Sequence, residues 1–159
     1  VPDSWHVSPQ EFRFSLNPRE KAVFPLEIHY PLGATAGRKR VLAKVSLQSP
    51  PYYLEVPLFV EIGLRQLEVR GSARVDGNDL LLRHTITNRS SEPLFLRSSA
   101  QAPGRERQYR PLNNLAPSET QALEYRIPGG ASLVGSKVRL SVRPVNDNRR
   151  VHHLELVVP

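Results

Sequence analysis

The stretch Asp79-Leu80-Leu81-Leu82-Arg83-His84-Thr85-Ile86-Thr87-Asn88-Arg89-Ser90-Ser91-Glu92-Pro93-Leu94-Phe95-Leu96 decides the fold. Strand side chains alternate between two faces. Leu80, Leu82, His84 and Ile86 therefore share one face, and Leu81, Arg83, Thr85 and Thr87 share the other. Asn88 to Pro93 is a break, built from residues that bond their own backbone or fix φ and so leave the ladder. The segment reads as strand, polar turn, strand. No part of the chain sustains a 3.6-residue apolar period, so an all-β protein without a long helix is expected.

The same rhythm runs outward in both directions. Toward the C-terminus, Leu94–Arg97, Leu123/Tyr125/Ile127, Val138/Leu140/Val142 and Leu154/Leu156/Val158 read as strands. A short one is expected near Gln108–Leu112, inside the polar stretch Ser98–Asn114. The breaks between them are Leu115–Thr120, Pro128–Gly135 and Asn146-Asp147-Asn148. Toward the N-terminus, Leu67/Val69/Ala73/Val75 leads into Asp76-Gly77-Asn78-Asp79, a hairpin turn whose Gly and Asn both tolerate positive φ. Earlier still, alternation predicts strands over Phe12–Leu16, Ala22–Tyr30, Val41–Leu47 and Tyr52–Ile62, with Tyr52, Leu54, Val56, Leu58, Val60 and Ile62 inward. Trp5-His6-Val7 reads as a short strand or a staple, and Ser49-Pro50-Pro51 as a break. Pro25 donates nothing to a ladder and marks an edge or bulge.

Gly63-Leu64-Arg65 is the expected boundary between two units, 1–64 and 65–159. About seven strands in the second unit is the count of an immunoglobulin-like sandwich. The first unit has about five, too few to cover both sheets, so it is expected to be incomplete at its N-terminus or covered by a partner. The expectation is two tandem immunoglobulin-like antiparallel β-sandwich domains, the first partial. The chain opens in what reads as the middle of a turn, with no initiator Met or signal-like apolar region, so a fragment of a longer protein is expected.

Composition narrows the chemistry. The 159 residues contain no Cys, which excludes disulfides, thiolate metal sites and cysteine nucleophiles. No window approaches ~18 continuous apolar residues, so no membrane insertion is expected. The net charge is +7 and uneven. Residues 1–64 hold seven Lys/Arg against six acids, and residues 65–159 hold fifteen against nine, fourteen of the fifteen being Arg. Such a bias fits an anionic partner or a solvated, edge-protecting surface.

Three motifs then point to a class. Pro2-Asp3-Ser4-Trp5-His6-Val7, Leu16-Asn17-Pro18-Arg19-Glu20 and Pro31-Leu32-Gly33-Ala34-Thr35-Ala36-Gly37 resemble the second half of a bacterial NEW3-type domain. That module is associated with carbohydrate-binding and glycosidase domains. Its pattern runs P-x-x-W-x-V, L-x-P-G-E and P-x-x-A-x-x-G, and Arg19 stands where the family has Gly. Thr87–Leu94 and Leu115-Ala116-Pro117-Ser118-Glu119 resemble the same class of module. The resemblance implies an exported accessory β-sandwich with no catalytic residues to carry over, and fold alone does not assign function.

No cofactor or metal is expected. His152 and His153 are adjacent on a strand and point to opposite faces. His84 lies on an apolar face and reads as a hydrogen-bonded core or rim histidine. Asp76–Asp79 lacks the glycine position and distant Glu of a calcium loop. Neither a Gly-x-Ser-x-Gly elbow nor a phosphate-binding Gly loop occurs, and the chain reads as a non-enzyme. Asn88-Arg89-Ser90 matches the N-glycosylation pattern and reads as a turn.

The sharpest feature is Arg105-Glu106-Arg107-Gln108-Tyr109-Arg110. Arg105, Arg107, Tyr109 and Arg110 together could hold an anion or a partner by charge and stacking. Arg70, Arg74, Lys137, Arg139 and Arg143 add basic positions on solvent faces. Phe59 and Leu64 are the expected apolar contacts near the boundary. The expected function is a non-catalytic spacer and interaction module, its partners being neighbouring domains or another protein. The alternative is binding of acidic polysaccharide, with nucleic acid less favoured, through the Arg-rich second unit.

Overall fold

The structure, a computed structural model, describes residues 4–31, 33–48, 51–147 and 150–159. Val1-Pro2-Asp3 of the first motif, Leu32, the Ser49-Pro50 break and Asn148 of the last turn lie outside the described residues. The protein is all-β, with several antiparallel sheets and no α-helix among the described residues. It divides into two compact units. The first takes the residues up to Ala34 and Lys39–Val60; the second takes Thr35–Arg38 and Glu61–Pro159.

The first unit holds little regular structure. Strand β1 (His6–Ser8) pairs antiparallel with β2 (Glu27–His29), and β3 (Gly37–Gln48) forms a two-stranded sheet with β4 (Pro51–Ile62). Two expected strands change here. Phe12–Leu16 is not a strand, and Ala22–Tyr30 shrinks to Glu27–His29. Alternation alone cannot form a strand without a neighbour to pair with, and these segments have none along most of their length. Trp5 and Val41 are buried, but Phe14, Phe24, Leu26, Tyr30, Tyr53 and Phe59 are exposed. So are Tyr52, Leu54 and Leu58, which were expected inward. Rings gather in local pairs instead, with Trp5–Tyr30 centroids 5.6 Å apart and Phe12–Phe24 centroids 4.9 Å apart.

The second unit is two sheets packed on one interior. A three-stranded sheet runs β5 (Leu67–Asp76), β6 (Asp79–Asn88), β9 (Thr120–Ile127). A four-stranded sheet runs β11 (His152–Val157), β10 (Lys137–Pro144), β7 (Leu94–Gln101), β8 (Gln108–Leu115). All pairings are antiparallel. The central strands supply the core. On β6 Leu80, Leu82, His84, Ile86 and Asn88 are fully buried; on β10 Val138, Leu140 and Val142 are. One cluster joins Leu80, Leu82, Tyr125 and Ile127 to Ala100, Val138 and Leu140, and a second joins Leu67 and Ile86 to Leu96, Leu112, Leu115 and Val142. Residues of both sheets meet in each cluster, as in face-to-face sheet packing.

Leu64 belongs to the second cluster and is buried, not the surface contact expected of it. The turn that donates the Leu67 amide to the Leu64 carbonyl at 3.0 Å folds it inward. β7 also runs farther than its apolar pattern, through Ser98, Ser99 and Ala100, all buried. The expected short strand at Gln108–Leu112 extends to Leu115. Its register against β7 slips between Leu94↔Leu115 and Leu96↔Leu112, leaving an extra residue on β8. Asn114 absorbs it at φ 56, in the left-handed region that Asn tolerates better than most residues.

At the β5–β6 hairpin, Gly77 has φ 63, while Asn78 is not in the positive-φ region. Gly at the first central position is the type II′ choice, whose twist matches the strands. The loop Pro128–Gly135 contains a 3-10 turn, Gly130–Leu133, pinned by the Ala131 amide on the Asn78 carbonyl at 3.1 Å. Gly130 lies so close to β6 that an added Cβ would stand 2.4 Å from Leu80 Cβ.

The two Leu-x-Pro-x-Glu motifs fold into the same turn. In Asn17-Pro18-Arg19-Glu20, the Glu20 amide donates to the Asn17 carbonyl at 3.0 Å and the Glu20 carboxylate accepts the Asn17 amide at 2.8 Å. In Ala116-Pro117-Ser118-Glu119, the corresponding distances are 3.0 and 2.7 Å. The third residue is left-handed in both, Arg19 at φ 69 and Ser118 at φ 63. Pro at the second position and positive φ at the third define a type II turn.

Candidate functional site

The outward face of the four-stranded sheet carries the site. Register sets it. His153, Ser141, Ser99 and Tyr109 form one row across β11, β10, β7 and β8. Arg143 and Arg97 stand opposite each other in the next row, beside Pro111. Ser99 and Ser141 are small and sit on the two central strands, so the sheet is hollowed there. The resulting cleft of about 200 Å³ is lined by Arg97, Ser99, Arg107, Tyr109, Ser141, Arg143, Val151 and His153.

The floor is polar and the walls are cationic. Ser141 Oγ lies 2.8 Å from His153 Nδ1. Arg107 Nε donates to Gln101 Oε1 at 3.0 Å, which holds that guanidinium over the β7 edge of the cleft. Tyr109 is half exposed and presents its ring as one wall.

Several arginines of this unit meet acids. Arg139 stands opposite Glu155 and bonds it at 3.1 Å, with Lys137 sharing the carboxylate at 3.5 Å. Arg139 is the chief cause holding the Glu155 carboxyl below its ordinary value. Arg126 bonds Asp79 at 2.7 Å and reaches Asp76 at 3.5 Å. Glu68 takes both Arg89 and Arg70, and the hydrogen bond from Arg89, ahead of that from Arg70, lowers its pKa. Among the described registers, Arg97↔Arg143 is the one place where two arginines face each other. Like charges directly opposite on neighbouring strands are destabilising.

Of the four residues singled out from the sequence, two line this cleft, Arg107 and Tyr109. Arg110 alternates to the other face of β8, where its guanidinium carbon lies 5.7 Å from the centroid of the Tyr125 ring. Arg105 sits in the turn before β8, its guanidinium 3.4 Å from the Gly129 carbonyl. The run of basic residues is therefore split by strand alternation and the preceding turn. Arg97, Ser99, Ser141 and His153 were not singled out as site residues. They are distant in sequence, and only the β7–β10–β11 register assembles them. Arg143 had been noted as one basic position among several.

The remaining candidates resolve into structure. His152 points inward and His153 outward, as adjacent strand residues must. Burial first, and then the nearby His153, lowers the His152 pKa, and its Nδ1 has no partner among the described residues. His84 is a core histidine, bonded through Nδ1 to Ser98 Oγ. Asn88 of the glycosylation pattern is fully buried: its amide donates to the carbonyls of Glu92 and Leu115 at 2.8 and 2.9 Å, and its Oδ1 accepts the Ser90 amide at 2.8 Å. Among the described residues no group of three His, Asp or Glu is placed to hold a metal ion.

No protein-family model matches the chain, and no curated protein matches it either.

Proposed function

We propose that the chain is a non-catalytic pair of immunoglobulin-like modules of the NEW3-type class, serving as spacer and protein-interaction surface in an exported bacterial protein. The module assignment draws on the twin type II turns at Asn17–Glu20 and Ala116–Glu119, in which a positive φ falls where the family pattern has Gly. It draws also on the second unit's strand order, β5-β6-β9 against β8-β7-β10-β11. Seven strands divided three and four, with consecutive strands crossing between sheets, is an arrangement of that sandwich class.

The observation that carries the functional part is the exposure of apolar side chains in the first unit. Tyr52, Tyr53, Leu54, Leu58 and Phe59 all stand exposed along β4. A ribbon of two strands with apolar residues on both faces is a docking surface, since clustered exposed apolar area marks interaction sites. On this reading Phe59 is a contact residue, and the self-contained second unit is the spacer. The two Ser–His contacts are read as structural. Ser98 with His84 is sealed in the core, and Ser141 with His153 lies on strand ladders, not at a strained elbow with an oxyanion hole.

The test has two arms. Light scattering and an apolar fluorescent dye are applied to the whole chain and to a variant with Tyr52, Leu54 and Phe59 changed to Ser. Association or dye binding by the parent, lost in the variant, is expected; a monomer that binds no dye overturns the interaction surface. A panel of glycosides and esters is expected to show no turnover. Turnover abolished by Ser141→Ala overturns the non-catalytic reading.

A further inference from the structure

We infer that His152 is an acid-sensitive latch: its neutral ring lets Thr35–Arg38 and residues 61–64 close over β11, and taking up a proton releases them. Both segments belong to the second unit, so the inference does not depend on how the first is used.

The segments and the ring meet at one point. The Ala36 amide donates to the His153 carbonyl at 2.8 Å, which bonds the first segment to β11, the outer strand of its sheet. Gly63 lies against the ring. A Cβ placed there would stand 2.8 Å from His152 Nδ1 and 3.0 Å from Ala36 Cβ. Gly63 has φ 116, and the close approach needs both its backbone freedom and its missing side chain. A cavity of about 310 Å³ opens beside the contact, lined by Gly37, residues 61–65, Leu67 and His152.

His152 Nδ1 is buried there and has no hydrogen-bond partner among the described residues. A neutral ring can leave that nitrogen as a bare lone pair. A protonated ring carries a hydrogen on both nitrogens, and the one on Nδ1 would face Gly63 and Ala36 with no acceptor. A buried charge without a partner costs far more than a few packing contacts and one backbone hydrogen bond. The ring reaches water when the two segments lift, and the cavity beside them is where water enters.

The groups around the ring do not offset this. From residues 61–65, Glu61 and Arg65 line the cavity but are exposed to solvent. On the first segment Arg38 follows Gly37. β5 offers Leu67, and β10 places Val142 opposite His152, between Ser141 and Arg143. The facing sheet contributes His84, and His153 follows on the same strand. Burial first, and then His153, keep the His152 pKa below its ordinary value. The closed latch is therefore fully stable above pH 6.5, the ordinary histidine value, and loosens as pH falls through the lower folded value. His152 is partly buried and His84 fully buried, so desolvation opposes the proton less at His152. The latch opens before the core yields.

Hydrogen exchange of the Ala36 amide, read by NMR on the whole chain and corrected for the intrinsic rate at each pH, tests this. Between about pH 7.5 and about pH 5 its protection is expected to fall while the amides of β6 keep theirs; each unit by which a ring's pKa is lowered is worth about tenfold in opening. The His152 ring resonances should titrate over the same interval. His152→Gln is polar and gains no proton, so its Ala36 protection should be independent of pH. His152→Leu serves if His152→Gln alters the circular dichroism of the fold. His84→Leu should leave the fall at Ala36 in place. The inference is overturned if Ala36 is unprotected already at neutral pH, or if its protection stays constant while the ring titrates. It is equally overturned if the fall survives in both His152 variants, if it vanishes in His84→Leu, or if Ala36 and β6 lose protection together, which is global unfolding.

Discussion

Ser98 Oγ lies 2.7 Å from His84 Nδ1 inside the second unit's core, and the Tyr125 hydroxyl donates to the same oxygen at 2.6 Å. With Tyr125 donating to Ser98, the Ser98 proton is left for Nδ1, which places the imidazole proton on Nε2. Nε2 itself is buried with no partner among the described residues. The ring is therefore held neutral. Burial, and secondarily His152, pushes the His84 pKa down to about 4.

Acid should therefore unfold the second unit through this ring. In the unfolded chain His84 takes a proton near pH 6.5, and in the folded chain only near 4. Its contribution is complete above pH 6.5 and is lost as pH falls toward 4, at about 1.4 kcal/mol per pH unit and about 3 kcal/mol in all. Urea unfolding at a series of pH values measures it. His84→Leu should flatten that part of the profile; an unchanged slope between pH 6.5 and 4 would show that His84 does not carry the acid sensitivity.

Asn88→Ala should cost roughly 2–4 kcal/mol, because it leaves the Glu92 and Leu115 carbonyls and the Ser90 amide without their side-chain partner. The same burial bars a glycosyltransferase from the folded site. Intact-mass analysis after secretion from a eukaryotic host should find Asn88 unmodified, and denaturation curves give the stability arm.

Two glycines separate a tight backbone approach from a soft one. At Gly130 an added Cβ meets Leu80 Cβ at 2.4 Å and the Leu80 backbone nitrogen at 2.9 Å, neither of which can swing aside. At Gly71 it meets the ends of the Leu154 and Leu140 side chains at 2.7 and 2.8 Å, which can rotate. Gly130→Ala should therefore destabilise by about 2–3 kcal/mol and Gly71→Ala by about 1, within the range for overpacking. Thermal unfolding of the two variants gives the order, and a larger loss at Gly71 would contradict it.

Ser118 at φ 63 and Arg19 at φ 69 occupy backbone that disfavours a Cβ. Ser118→Gly should raise the unfolding free energy by roughly 0.5–1 kcal/mol, the left-handed strain outweighing the entropy glycine adds to the unfolded chain. Arg19→Gly should act in the same direction in the first unit. A loss of stability at both positions would mean that the side chains matter more than the backbone.

Amide hydrogen exchange should divide the chain sharply. Protection follows buried apolar contacts and ladder bonds. Amides of β6, β7 and β10 should exchange slowest, and those of residues 9–26, which lie outside any strand, should exchange within the earliest time points.

What the sequence determined by itself was the class and the second unit's interior. A period of two over Leu80, Leu82, His84 and Ile86, and again over Val138, Leu140 and Val142, is local information, and both runs face the core. Turn chemistry was equally local, so Gly77 and the two Leu-x-Pro-x-Glu turns were legible. The same alternation over Phe12–Leu16 and Tyr52–Leu58 predicted burial that the first unit does not provide, because a strand buries a face only where another layer covers it. β7 beyond Arg97 was illegible for the opposite reason. Ser98 and Ser99 are polar, and only His84 and Tyr125, reaching Ser98 from the facing sheet, make its burial affordable. The cleft depended most on tertiary structure. Arg105 to Arg110 is contiguous in sequence, yet alternation sends Arg110 away from Arg107 and Tyr109, while cross-strand register brings in Arg97, Ser99, Ser141, Arg143 and His153 from three other strands. Register is a relation between segments far apart in the chain, and no single segment encodes it.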